Sequence, residues 1–168
     1  PKKNNMDLIV QKNTELGINS IKPYVSSRTI VKIDEKNSVK KTERWRRIAK
    51  EAAKQSKRAD IPRISDTVSF REMLLQLKEY DKSILLYENE RGNGLELLES
   101  NKEDLQRIAV IVGPEGGFSP DEVKEIQDCG SISISLGPRI LRTETAGFAA
   151  LSIIQFLFGD MRGVGSGR

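Results

Sequence analysis

An α/β fold, with a mostly parallel sheet flanked by helices, is what this sequence predicts, and three observations predict it. Short apolar runs recur at residues 84–87, 108–112 and 132–136, as strands would, with helical segments between them. The middle run, Ile108-Ala109-Val110-Ile111-Val112, is apolar throughout, which suits a central strand covered on both faces. Strands alternating with helices then point to a parallel sheet rather than to hairpins.

The elements follow in order. Residues 5–16 are expected to form a short helix, with Met6, Ile9, Val10 and Leu16 on one face and Gly17 placed to end it. A strand is expected over 18–25. Residues 42–58 read as a basic amphipathic helix, with Trp45, Ile48, Ala49, Ala52 and Ala53 inward and most Lys and Arg side chains outward. Ser69 with Glu72 makes a capping box for a helix over 69–79. Ser119-Pro120-Asp121-Glu122 supplies an N-cap, a proline at the first helical position and a capping acid, so a helix spans 120–129 before Gly130. The last helix starts near Thr143 and runs to Gly159. Its apolar residues nearly encircle it, so both the sheet and either another helix or a second subunit must cover it.

Composition narrows the chemistry. The 168 residues hold no histidine and one cysteine, Cys129, which excludes a Ser-His-Asp triad, a His-ligated metal, an intrachain disulfide and a cysteine zinc cluster. No metal is expected. With 37% apolar and 31% charged residues, and no run long enough for a bilayer or a signal peptide, the chain reads as one globular cytoplasmic domain over 1–160 with a flexible tail at 161–168. The net charge is only +4, but ten Lys and Arg crowd residues 40–63 against Glu43, Glu51 and Asp60. A polyanion such as RNA would favour that segment, while a solvated helix face explains it equally well.

Ligands of open α/β sheets bind beyond the carboxyl ends of the strands, which directs attention to three loops. They are Glu88-Asn89-Glu90-Arg91-Gly92-Asn93-Gly94, Gly113-Pro114-Glu115-Gly116-Gly117-Phe118-Ser119 and Gly137-Pro138-Arg139-Ile140-Leu141-Arg142-Thr143-Glu144-Thr145. Glycine lets backbone groups approach a ligand. The second loop lacks the Lys-Ser/Thr pair of a P-loop, and no complete GxGxxG follows a strand. In the third loop, Arg139 and Arg142 stand where they could hold phosphate or orient a base, or Arg142 could simply pair with Glu144 at a helix start.

Four segments in order, Thr14-Glu15-Leu16-Gly17, Glu51-Ala52-Ala53-Lys54-Gln55-Ser56-Lys57-Arg58, the Gly113–Ser119 loop and Leu136-Gly137-Pro138-Arg139-Ile140-Leu141-Arg142-Thr143-Glu144-Thr145-Ala146, resemble RsmE-type ribosomal RNA methyltransferases of the SPOUT superfamily. The resemblance implies a SPOUT fold with a deep C-terminal trefoil knot, a homodimer, S-adenosylmethionine as cofactor, and methylation of N3 of a uridine in small-subunit (16S) ribosomal RNA. It also implies that the PUA-like RNA-binding domain preceding this region in full-length members is absent from this chain. Cofactor contacts map onto Leu86, Tyr87 and Glu88, onto Gly113, Pro114, Glu115, Gly116 and Gly117, and onto Leu136, Gly137, Ile140, Leu141, Arg142 and Thr143.

For the chemistry, uridine N3 must lose a proton before it attacks, which needs a base or a cation that stabilises the anion. Arg142 is expected as stabiliser and substrate clamp, with Glu144 or Glu115 as proton acceptor. Arg28, Arg46, Arg47, Lys54 and Arg58 are the expected RNA contacts. A non-catalytic RNA-binding module would explain the basic helix but not the three loops. Another α/β enzyme acting on a nucleotide would instead respond to nucleoside phosphates.

Overall fold

The computed structural model describes residues 3–26, 35–94, 96–99 and 105–161. Arg28 and the expected tail from residue 162 onward lie outside the described residues. Two compact units divide the chain, one up to Met73 and the other from Leu74.

In the first unit, helices α1 (Lys3–Glu15) and α2 (Glu35–Gln55) pack around Val10, Trp45, Ala49 and Ile64, with Met6, Ile21 and Ile48 against them. The strand expected over 18–25 is two shorter strands, β1 (Ser20–Ile21) and β2 (Tyr24–Val25). Pro23 interrupts them because it has no N–H to donate, and its carbonyl instead accepts from the Val68 amide at 3.0 Å. Their parallel partners are β3 (Arg63–Ile64) and β4 (Val68–Ser69), respectively. Strands of two residues carry no periodicity, which explains why the sequence does not announce β3 and β4.

Helix α2 begins earlier than expected and ends in a turn at Lys57, whose φ of 58° places a non-glycine residue in the left-handed region. The Arg58 amide closes this turn on the Ala53 carbonyl at 2.9 Å, satisfying a terminal acceptor. Helix α3 (Phe70–Gln76) and a following 3-10 turn match the expected 69–79 helix, and the Ser69/Glu72 capping box forms in both directions, at 2.8 and 3.2 Å.

The second unit is built on a parallel sheet of β5 (Lys82–Leu86), β6 (Ile108–Ile111) and β7 (Ile132–Ile134), in the order β6-β5-β7. The sequence points to 108–112 as the central strand, and here the structure differs: β5 is central and β6 flanks it. The apolar run of β6 is only partly buried, whereas β5 is buried from Ser83 to Leu86. Polar Ser83 hides the central place of β5, and it is tolerated inside because its hydroxyl bonds that of Ser131 at 2.7 Å.

Helix α4 (Glu96–Glu99) lies between β5 and β6, helix α5 (Pro120–Asp128) between β6 and β7, and helix α6 (Thr143–Phe158) follows β7. Ile84, Leu86, Leu98, Ile134 and Ala150 form the core. The capping box of α5 is complete, with the Ser119 hydroxyl accepting from the Glu122 amide at 3.1 Å and the Glu122 carboxylate accepting from the Ser119 amide at 2.9 Å. Along α6 only Ala150 is fully buried, and Phe156 is 55% exposed. Among the described residues no helix is long and apolar enough to cross a membrane.

Candidate functional site

The register of the sheet brings its carboxyl ends level. Leu85 pairs with Ile111 on one side and Ser133 on the other, so three loops leave from one edge. Polar contacts then bind those loops to one another. The Tyr87 amide donates to the Ile134 carbonyl at 3.1 Å, and the Ser135 amide donates to the Asn93 carbonyl at 2.9 Å, joining the first loop to the third. The Thr143 hydroxyl donates to the Gly113 carbonyl at 3.2 Å, joining the second loop to the start of α6.

Two kinds of glycine occupy these loops. At Gly113 and Gly117 the space beside Cα is taken by the chain itself: a Cβ would lie 2.9 Å from the Phe118 ring at the former and 2.9 Å from a Glu88 carboxylate oxygen at the latter. Gly117 also has a φ of +69° and closes a turn with its amide on the Pro114 carbonyl at 2.9 Å, so its backbone favours glycine, whereas the exposed Glu88 side chain can move aside. At Gly116 and Gly137, by contrast, no heavy atom beyond the chain neighbours lies within 4 Å of a Cβ position among the described residues. The backbone there faces open space that a ligand can approach.

The expected cofactor residues are thus gathered at one end of the sheet, with differing roles open to them. Leu86 is buried in the core and Leu136 packs against it, so their side chains belong to the sheet. Tyr87, Gly113, Pro114, Leu141 and Thr143 are half-buried, while Glu88, Glu115 and Arg142 are exposed and Ile140 is 85% exposed. Arg142 is itself the N-cap of α6 and gives no side-chain cap, since a guanidinium has no acceptor for the helix N–H groups, and the Thr143 hydroxyl beside it is turned to Gly113. This leaves the guanidinium beside the positive end of a helix. Glu144 lies half-buried in the first turn of α6.

Sequence reasoning misses Glu90. One of its carboxylate oxygens accepts from the amides of Arg91, Gly92 and Asn93 at 3.0, 2.8 and 3.3 Å, which folds the first loop and sets Asn93 for its bond to Ser135. An acid just ahead of a glycine is the only signal, and it is weak.

The expected RNA contacts lie in the first unit and differ from one another. Arg46 donates to the Ile64 carbonyl at 3.1 Å and to Asp66 at 3.2 Å. Arg58, expected to face RNA, is turned inward: it donates to the Thr14 and Ile18 carbonyls at 2.8 and 2.9 Å and to Asp60 at 2.7 Å, with a side chain 12% exposed. The reversal of the chain at Lys57 aims it there. Lys54 pairs with Glu51 on the surface at 3.1 Å, and Arg47 is exposed without a described partner. No cluster of metal-binding side chains gathers among the described residues.

A family model described as the RNA methyltransferase domain matches residues 1–155. The chain belongs to that family. Among relatives of this RNA methyltransferase domain is the ribosomal RNA small subunit methyltransferase E of Bacillus subtilis, 39% identical over 97% of this chain and 65% of its own length. The solved structure of the ribosomal RNA small subunit methyltransferase E of Neisseria gonorrhoeae, bound to S-adenosyl methionine, superimposes with a TM-score of 0.81 at 33% identity, covering 92% of this chain and 62% of that one. A methyltransferase of Legionella pneumophila in complex with the same cofactor gives a TM-score of 0.79 at 34% identity over 90% of this chain and 60% of that one. The chain therefore spans somewhat under two thirds of the length of these relatives.

Proposed function

We propose that this chain is the catalytic part of an S-adenosylmethionine-dependent methyltransferase that acts on N3 of a uridine in small-subunit (16S) ribosomal RNA. The observation that carries the reading is the meeting of three strand-end loops around Gly116 and Gly137, whose Cβ positions no neighbouring segment approaches within 4 Å among the described residues. Main-chain groups can hold a neutral adenosine there without a metal or a histidine. The cofactor-bound relatives, which share this fold and about a third of its residues, support the choice of ligand.

When bound, S-adenosylmethionine supplies a methyl group on a positively charged sulfur. Gly113, Pro114, Gly116, Gly117, Leu136 and Gly137 would hold it through their backbones, with Tyr87, Glu88, Ile140 and Leu141 around the opening. Positioning is then the main task, because in-line displacement needs little covalent help. Arg142 stabilises the uridine anion left when the N3 proton passes to Glu144 or Glu115, and it clamps the base.

The same reading carries with it a deep trefoil knot, one functional domain over 1–160, a cytoplasmic setting and a homodimer that covers the half-exposed α6, including Phe156. Arg47 and Lys54 remain proposed RNA contacts, while Arg46 and Arg58 serve the fold.

The test is methylation of small ribosomal subunits by the Arg142→Ala protein, with donor affinity measured separately. Turnover is expected to fall by about 10²–10³-fold, the usual consequence of losing one stabiliser of a developing anion. Unimpaired turnover would remove Arg142 from the mechanism.

A further inference from the structure

Helix α2 carries cations on two sides, and they are used differently. On the side toward β3, Arg46 is tied to the Ile64 carbonyl and Asp66. On the opposite side an open depression of about 720 Å³ is lined by Lys40, Lys41, Arg44 and Arg47 against the one carboxylate of Glu43. Arg44 is fixed there by Asp7, which accepts from its Nε and Nη2 at 3.1 and 2.6 Å. Lys40, Lys41 and Arg47 are exposed, and none has an acidic partner among the described residues.

We propose that this depression is a track for RNA phosphates, with Lys40, Lys41 and Arg47 as the contacts and Arg44 as a fixed part of its floor. The spacing 40, 44, 47 keeps Lys40, the fixed Arg44 and Arg47 on one helix face, away from Trp45 and Ala49 in the core, and Lys41 lines the same depression beside them. From Lys40 to Arg47 the helix advances about 10 Å at 1.5 Å per residue. Roughly three phosphates of a helical strand fit that length at ~3.4 Å per nucleotide. The Lys54–Glu51 pair, one to two turns further on, ends the run of unpaired charge. An acidic protein is a poorer occupant, because protein interfaces rely on buried aromatic or aliphatic anchors and Ile48 is the only apolar residue lining the depression.

The identity of the partner rests on the RNA-methylating reading; the track itself rests on the geometry of α2. The experiment measures binding of a uridine-containing single-stranded RNA oligonucleotide across a salt series. It compares the unaltered chain, the triple variant Lys40→Gln, Lys41→Gln, Arg47→Gln, and a control triple Arg71→Gln, Lys78→Gln, Lys124→Gln that removes equal charge at exposed sites outside the basic segment. Loss of three phosphate contacts is expected to flatten the slope of log affinity against log salt by about 2 and to weaken binding about tenfold or more at moderate salt. The control is expected to stay near the unaltered chain, and thermal melting checks that both triples fold.

Retained slope and affinity in the track variant, or an equal loss in the control, overturns the proposal. Calorimetry with S-adenosylmethionine on the same proteins keeps the two readings apart. An unaltered chain that ignores the methyl donor while the track variant loses RNA refutes the methylation reading alone, and supports the track.

Discussion

The two units treat backbone and arginine in opposite ways. In the first, Gly17 is the only glycine before residue 74, and Arg46 and Arg58 cross between segments to satisfy carbonyls at Ile64, Thr14 and Ile18. In the second, glycines cluster in the loops at the strand ends, and Arg139 and Arg142 stand exposed beside them. The first unit uses Arg46 and Arg58 to close its frame while Arg47 stays exposed, and the second leaves Arg139 and Arg142 exposed beside open backbone. A structural arginine and a ligand-seeking one are therefore told apart by what their guanidinium already holds, not by the residue type or its place in a basic run.

Substitutions should separate those two uses. Arg58→Ala is expected to have the largest effect on stability, about 2 kcal/mol, because it strips a charged donor from the Ile18 carbonyl and leaves the Thr14 carbonyl with the Gly17 amide alone. The measurement is thermal or urea unfolding, alongside an unchanged affinity for S-adenosylmethionine. A variant that melts normally would mean that these bonds do not close the frame. Gly117→Ala is expected to cost about 1–2 kcal/mol through its left-handed backbone alone. It should also weaken donor binding severalfold by driving the Glu88 carboxylate from its position, so calorimetry separates it from Arg58→Ala. Lys57→Gly should act in the other direction, raising stability by about 1 kcal/mol, since glycine adopts that backbone without the penalty paid by a side chain. An unmoved melting temperature would show that Lys57 is not strained.

Much of this architecture can be read directly from the residues, for reasons that are local. The capping box at Ser119 and Glu122, Pro120 at the first turn, and the apolar stretch of α6 each act within a few positions, so pattern and structure agree. The three loops are visible as a consequence, because they follow apolar runs. What escapes is non-local. The strand over 84–87 is visible, but its central place is hidden by Ser83 until its partner Ser131, far along the chain, is known. The two-residue strands β3 and β4 exist only by pairing with β1 and β2. The inward turn of Arg58 depends on Lys57 and on carbonyls at Thr14 and Ile18, distant in sequence. Within the site, the residue types forecast the gathering of the loops, but the distinction between crowded Gly117 and open Gly116 comes only from neighbours in space.

That distinction supplies the most direct measurement. Gly116 lies outside the left-handed region and, among the described residues, no heavy atom beyond its chain neighbours lies within 4 Å of its Cβ position, so Gly116→Val has room for its Cβ and should fold and melt like the unaltered chain. If the open space belongs to the methyl donor, titration calorimetry with S-adenosylmethionine will show binding to the unaltered chain and its loss, by about a hundredfold or more from steric exclusion of a snugly held ligand, in the valine variant. Equal binding by both proteins, or no binding by either at high donor concentration, would contradict the assignment of the strand-end loops as the cofactor site.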